Sequence, residues 1–426
     1  MSSAWNTLSA IELARAIARR EVTSEAAVSA CLARIEERDH HVQAWAYLDP
    51  DAVLEQARAC DRSDPNGPLH GVPIGVKDVL DTSDMPTQMG SPIYEGHQPL
   101  ADATCVSLLR QAGALIMGKT VTCEFAGATP GPTRNPHNLE HTPGGSSSGS
   151  AAAVAGFMVP AAFGTQTGGS VLRPAAFCGV VGFKPTYGRY SRTGIKFAAE
   201  SFDTIGTIAR TVEDVELLDD VLVGKRSASR HIAGRPVVGV CKTHLWRTAL
   251  PETVAAIERV ADAFKRSDAR VSDFSLPASF ADLTAVRARI NAYERARGMA
   301  YEWHRHRDAI SEQLRTTIAE GFATSPEDYW AAQALVRKCR ALLAEAMSDV
   351  DVLLTPCVPG EAPRGLGFTG EPRFQELWTA LYVPTISIPA GTGPAGLPVA
   401  VQLVGKRGQD ELLLAAARGF SKLTQN

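Results

Sequence analysis

Apolar residues recur at three- and four-residue intervals over Leu8–Arg20 and Ser24–Glu37, a spacing that predicts amphipathic helices. Thr23 or Ser24, just ahead of the second run, is a suitable helix start, and the chain reads as helical to about Arg62. From Leu69 to about Ala209 the pattern changes to short apolar runs broken by glycines and small residues. Val72–Val76, Ala114–Met117 and Val180–Phe183 predict strands, with a helix over Ala103–Gln111 between the first two. Helical periodicity returns over Pro251–Lys265, Ala281–Arg297 and Tyr329–Met347. Val350–Leu354, Thr385–Ile388 and Val399–Val404 then predict strands, and Asp410–Phe420 a closing helix. Strands alternating with helices predict an α/β fold with a largely parallel sheet covered on both faces. No repeat and no Pro/Ser-rich break divides the chain, so the pattern predicts one domain over 1–426. Its parts are a helical stretch (1–62), a core segment (69–209), a second helical stretch (234–347) and C-terminal strands with a helix (350–426).

Composition narrows this picture without naming a function. The 426 residues carry a formal net charge of -3 and are 21% charged, which excludes a disordered or highly charged chain. That balance argues against a broad electrostatic grip on nucleic acid or an acidic membrane. No apolar run approaches the roughly 18 residues of a membrane span. The first twenty residues mix Glu12, Arg15, Arg19 and Arg20 into their apolar positions, unlike a secretory signal. Eight cysteines (Cys31, Cys60, Cys105, Cys123, Cys178, Cys241, Cys339, Cys357) lie far apart with no C-x-x-C pair. They read as reduced, mostly buried thiols of a cytoplasmic enzyme without a metal or cofactor.

One motif is deceptive. Gly113 to Thr120 matches the phosphate-loop pattern G-x-x-x-x-G-K-[ST]. A phosphate loop needs a strand before its first glycine and a helix opening at its lysine. Here a helix precedes Gly113, and Ala114–Met117 is itself strand material, so a helix–glycine turn–strand unit is expected instead.

Three other segments carry the candidate chemistry. Gly71-Val-Pro-Ile-Gly-Val-Lys77-Asp78 puts a lysine at the end of an apolar strand. Pro143-Gly-Gly-Ser146-Ser-Ser-Gly-Ser150 runs into a small helix, Ala151–Ala155. Gly164-Thr165-Gln-Thr167-Gly168-Gly169-Ser170 precedes Val171-Leu172-Arg173-Pro174. At an ordinary lysine pKa near 10.4, only about one molecule in a few thousand is neutral at pH 7, so a basic Lys77 requires desolvation. Gly168 and Gly169 leave the backbone bare, so several amides can converge on one oxygen, the geometry that suits the oxyanion of acyl transfer. Ser170 closes that loop as a candidate nucleophile.

In this combination and order the three segments resemble the amidase signature family, whose two catalytic serines lie 24 residues apart, as Ser146 and Ser170 do here. The similarity continues through Phe177–Arg189, Asp203–Arg210 and Gly396–Gly405, and is weakest over about 234–347. The resemblance implies a single large mixed, mostly parallel β-sheet sandwiched between helices. It implies Ser170 as nucleophile, Ser146 as a bridging serine on a cis peptide, and Lys77 as base. Backbone amides of Thr167, Gly168, Gly169 and Ser170 would hold the oxyanion, with Thr165 and Asp203 in support. The implied reaction cleaves the C–N bond of a small linear amide through an acyl-enzyme, releasing ammonia or an amine. Neither histidine nor metal takes part, and His304 and His306, which share no helical face, read as solvated.

The chain also departs from the pattern. Many members carry arginine two residues after the nucleophile, where this chain has Leu172, and Arg173 follows. Malonamidase-like members resemble this placement, and there the arginine faces a substrate carboxylate. A planar guanidinium suits that role, and a structural contact suits it equally. Ser148 replaces a glycine common in relatives, with little consequence expected. Specificity is expected in Gln88–Tyr94, Phe125–Pro130 and Phe374–Tyr382, with Trp378 and Tyr382 as pocket walls or plain core. The expected partner is a small-molecule amide rather than nucleic acid or membrane, and a homodimer is one option for assembly. An alternative keeps the same catalytic residues in an amidotransferase A-type subunit working with partner chains, against which the short length and the shifted arginine weigh. A non-catalytic binding protein on this fold is disfavoured by the joint presence of Lys77, Ser146 and Ser170.

Overall fold

The computed structural model describes residues 5–127, 129–225 and 235–424. Met1–Ala4 of the predicted amphipathic N-terminus, Ala128 of the Phe125–Pro130 segment, Gly234 and the last two residues lie outside them. Eleven strands form one sheet: β1 (Trp45–Tyr47), β2 (Pro73–Lys77), β3 (Leu115–Thr120), β4 (Ala161–Gln166), β5 (Val181–Lys184), β6 (Thr204–Ala209), β7 (Val237–Cys241), β8 (Arg270–Phe274), β9 (Val352–Pro356), β10 (Thr385–Thr392) and β11 (Pro398–Gly405). Their order is β1-β3-β2-β4-β6-β5-β10-β11-β9-β7-β8. The first seven helices are α1 (Ala10–Ala18), α2 (Ser24–Val42), α3 (Pro50–Asp61), α4 (Thr104–Gln111), α5 (Ser148–Ala155), α6 (Leu172–Cys178) and α7 (Val212–Val223). The rest are α8 (Pro251–Arg266), α9 (Leu283–Gly298), α10 (Ala300–Arg305), α11 (Glu312–Ala323), α12 (Pro326–Ala346), α13 (Arg373–Ala380) and α14 (Asp410–Thr424).

Local chemistry explains the helix starts. Thr23 accepts from the Ala26 amide at 3.1 Å and opens α2 where the sequence placed a start. Ser9 and Glu12 close a reciprocal capping box at α1. Alternate strand residues feed opposite layers, as the pleat requires. Ile116 of β3 packs in one core with Leu109, Val215 and Phe163. Its neighbours Leu115 and Met117 pack in another with Val28, Ala57 and Ala162.

The mixed α/β architecture is as the sequence predicts, but the balance within the sheet is corrected. Four of the ten strand pairings are parallel (β2 with β3 and β4, β7 with β8 and β9) and six are antiparallel. The connections decide this. β10 and β11 are joined directly by residues 393–397, and so short a link permits only an antiparallel hairpin. The connection from β5 to β6 likewise contains no helix to carry a parallel crossover. Among the described residues, no helix is long and apolar enough to cross a membrane.

The phosphate-loop lookalike is the expected unit. Gly113, at φ 88°, turns the chain from α4 into β3, and Leu115–Thr120 is fully buried strand. Lys119 is sealed in the interior, where its ammonium donates to Leu80 O (2.8 Å), Thr87 Oγ1 (2.5 Å) and Thr82 Oγ1 (3.2 Å).

Candidate active site

The adjacent parallel strands β2 and β4 end side by side, and in α/β sheets the carboxyl ends of such strands are where sites form. Lys77 ends β2, and Thr165 lies one residue before the end of β4. Lys77 is fully buried, and its Nζ donates to Ser146 Oγ (2.7 Å), Thr165 Oγ1 (2.7 Å) and Thr165 O (3.4 Å). Burial pushes its pKa down to about 7, with Cys123 and Asp203 opposing the shift. Ser146 arrives on the loop before α5, and the Gly145–Ser146 peptide is cis.

Past the end of β4, the chain turns through Thr167–Ser170 into α6. Gln166 organises this turn, its Oε1 accepting from the Val171 (2.9 Å) and Leu172 (3.1 Å) amides. Thr379 of α13 donates to Gly168 O at 2.7 Å and packs that helix onto the turn. A side chain at Gly169 would push on the amide end of Gln375 of the same helix, so the turn and α13 approach closely there. Among the described residues no group accepts from the amides of Gly168, Gly169 or Ser170. The two serine loops are tied together by the Ser147 amide, which donates to Ser170 O at 3.2 Å. Thr167 Oγ1 donates to Asp203 Oδ1, whose other oxygen accepts from the amides of Ala198 (2.5 Å) and Ala199 (3.1 Å).

Ser170 and Arg173 open onto a cavity of about 180 Å³, lined also by Thr167–Gly169 and by α9, α11 and α13. Arg173 Nη2 donates to Gly145 O (2.7 Å) and Thr369 Oγ1 (3.1 Å). Its Nε and Nη1 are buried without an acceptor among the described residues. One of the three guanidinium nitrogens therefore serves structure, and two are uncommitted among the described residues.

Every predicted site residue is found at this centre or directly against it. The specificity segments fare unevenly. Ala126 and Gly127 of Phe125–Pro130, and Glu376 of Phe374–Tyr382, line the cavity, whereas no residue of Gln88–Tyr94 does. That third segment lies behind the wall, with Met89 and Tyr94 packed around Phe125. Trp378 is core, buried among Phe202, Leu353 and Leu381. Tyr382 stacks on Tyr187 and borders a separate cleft, so neither aromatic walls the Ser170 cavity. His304 is exposed, and His306 is half-buried against the Tyr301 hydroxyl. The sequence reading missed Ser147, Gln166 and Thr379, although the first two lie inside the serine-bearing motifs. It also missed Arg287, Asn291 and Arg295 of α9, which line the cavity and lie where the resemblance is weakest.

Fold and site together define an enzyme of amide chemistry. The Amidase family model matches residues 26–414, and the chain belongs to this family, that of the amidase signature. It is 34% identical to the A-type subunit of the glutamyl-tRNA(Gln) amidotransferase of Geobacter sp. (strain M21), over 97% of this chain and 96% of that one. A crystal structure of an amidase superposes with a TM-score of 0.90 at 34% identity, covering 97% of this chain and 99% of the other. A 6-aminohexanoate cyclic dimer hydrolase superposes with a TM-score of 0.89 at 25% identity, over 99% of this chain and 97% of the other.

Proposed function

We propose that the chain hydrolyses a small, carboxylate-bearing linear amide through Lys77, Ser146 and Ser170. The observation that carries this reading is the buried Lys77 amine, 2.7 Å from Ser146 Oγ and 2.7 Å from Thr165 Oγ1 with a pKa near 7. Its neutral form accepts a proton from Ser146 as Ser146 takes the proton of Ser170, and Ser170 Oγ attacks the amide carbon. The unpartnered amides of Gly168, Gly169 and Ser170, with that of Thr167, receive the developing oxyanion. The C–N bond then breaks as the proton held on Lys77 returns through Ser146 to the leaving nitrogen. Water cleaves the resulting ester, releasing the acid and freeing Ser170. Thr165 holds the lysine, and Asp203 braces the turn through Thr167. The uncommitted Nε and Nη1 of Arg173 supply donors for a substrate carboxylate.

A second reading, an amidotransferase A-type subunit with partner chains, gains support from the relative that matches this chain along nearly its whole length. It uses the same three residues. Ammonia release from carboxylate-bearing amides by the purified chain, without added partners, is expected on the first reading, and silence until partners are supplied favours the second. Wild-type-like turnover by Ser170→Ala would sink both.

A further inference from the structure

The charged groups lining the cavity are Arg173, Arg287, Arg295 and Glu376. Arg287, Asn291 and Arg295 are spaced four apart on α9, so one face of that helix delivers all three. Glu376 is ion-paired with Arg287, and both are nearly buried. Arg287 Nε, like Nε and Nη1 of Arg173, has no acceptor among the described residues. Burial lowers the Arg295 pKa to about 10, which leaves it charged at neutral pH. Buried guanidinium donors require acceptors, so the cavity asks for oxygen anions.

The one carboxylate among these lining groups, Glu376, is already held by Arg287, so the lining stays net positive. The nearby carbonyls already face the arginines: Gly145 O accepts from Arg173, Thr167 O from Arg287 at 3.4 Å and Phe125 O from Arg295 at 3.1 Å. The carboxylates behind the wall are also engaged. Asp203 accepts from Thr167 and two amides, Glu124 from the Ser311 amide, and Glu371 pairs with Arg373.

We infer that Arg173, Arg287 and Arg295 select amides whose acyl part carries a carboxylate and no amino group. This inference rests on the amide-hydrolase reading and names its substrate class. Glutaramate and glutamine form the matched pair, since they differ only in the α-ammonium, which would face three arginines against one carboxylate, Glu376, already paired with Arg287.

Binding is tested apart from catalysis by titrating the Ser170→Ala protein with the two product acids, glutarate and glutamate, by calorimetry. Glutarate should bind at least tenfold more tightly, and Arg287→Met and Arg295→Met should each weaken it at least fivefold. Should those variants fail to fold, Asn291→Asp, which puts a carboxylate between the two arginines, should shift selectivity toward glutamate at least tenfold. Equal or tighter glutamate binding, no binding of either acid, or unchanged selectivity in Asn291→Asp overturns the inference. Failure of the hydrolase reading itself is distinguishable: the selectivity persists while the wild type releases ammonia from neither amide.

Discussion

Lys77 and Lys119 are both fully buried and lie on adjacent strands, Lys77 pairing with Thr120 and Lys119 with Val76 across the β2–β3 ladder. Burial lowers both, to about 7 and about 8. Their partners differ in kind. Lys119 meets Leu80 O and Pro86 O, the Thr82 and Thr87 hydroxyls, whose own protons go to Met85 O and Leu80 O so that they too accept, and the Asp78 carboxylate at 3.6 Å. Carbonyls and carboxylates only accept, so this pocket needs the protonated amine. Lys77 meets mainly the hydroxyls of Ser146 and Thr165, which donate as readily as they accept and so suit either protonation state. Desolvation brings a lysine within range of neutrality, and the chemistry of its partners decides whether a neutral amine is usable.

The comparison is broken or sharpened most strongly by replacing each lysine with the similarly sized methionine. On the proposed mechanism Lys77→Met loses about 10³-fold or more in kcat/KM for amide hydrolysis. Its denaturation midpoint should change little, because the group removed is itself a desolvated amine. Lys119→Met should do the reverse. Stranding the buried Asp78 charge costs about 3 kcal/mol in denaturant unfolding, while turnover per folded molecule is retained. Loss of stability in the first, or of turnover in the second, would reverse the assignment of roles.

Next in size is the pH profile. On the proposed mechanism the neutral amine of Lys77 is the base, and burial holds its pKa near 7, far below the ordinary lysine value. The hydrolysis rate should therefore fall about tenfold per pH unit below 7 and level off above it. A profile flat from pH 5 to 8 would remove Lys77 as base.

The hydroxyls give the smallest effect. Thr165→Val beside Lys77 should lower kcat by about tenfold and raise the kinetic pKa little. Thr87→Val beside Lys119 should cost about 1 kcal/mol of stability and leave kcat unchanged. Similar kinetic effects from both would mean that the two lysines are not distinct in function.

Much of the fold was legible because periodicity reports burial directly. The strand over Val72–Val76 and the helix over Pro251–Lys265 appear as β2 and α8 within a residue or two. Strand β4, whose alanines and glycine lack β-branched emphasis, and β8, an exposed edge strand with Arg270 and Asp273, left no comparable signal. The antiparallel majority of the sheet was equally hidden, since direction depends on how connections cross rather than on which residues alternate.

What the sequence by itself determined is the set of candidate residues: Lys77, Ser146, Thr165 and Ser170 sit in short motifs whose glycines and hydroxyls specify a local backbone. Only the tertiary structure decided what surrounds that chemistry. Lys77 and Lys119 differ through partners delivered by separate loops, and the cationic lining at Ser170 arises where α9 and α13 meet the turn after β4. The physical reason is that a periodic pattern records which face of an element is buried, whereas charge and hydrogen-bonding capacity at a site are properties of the contact between elements.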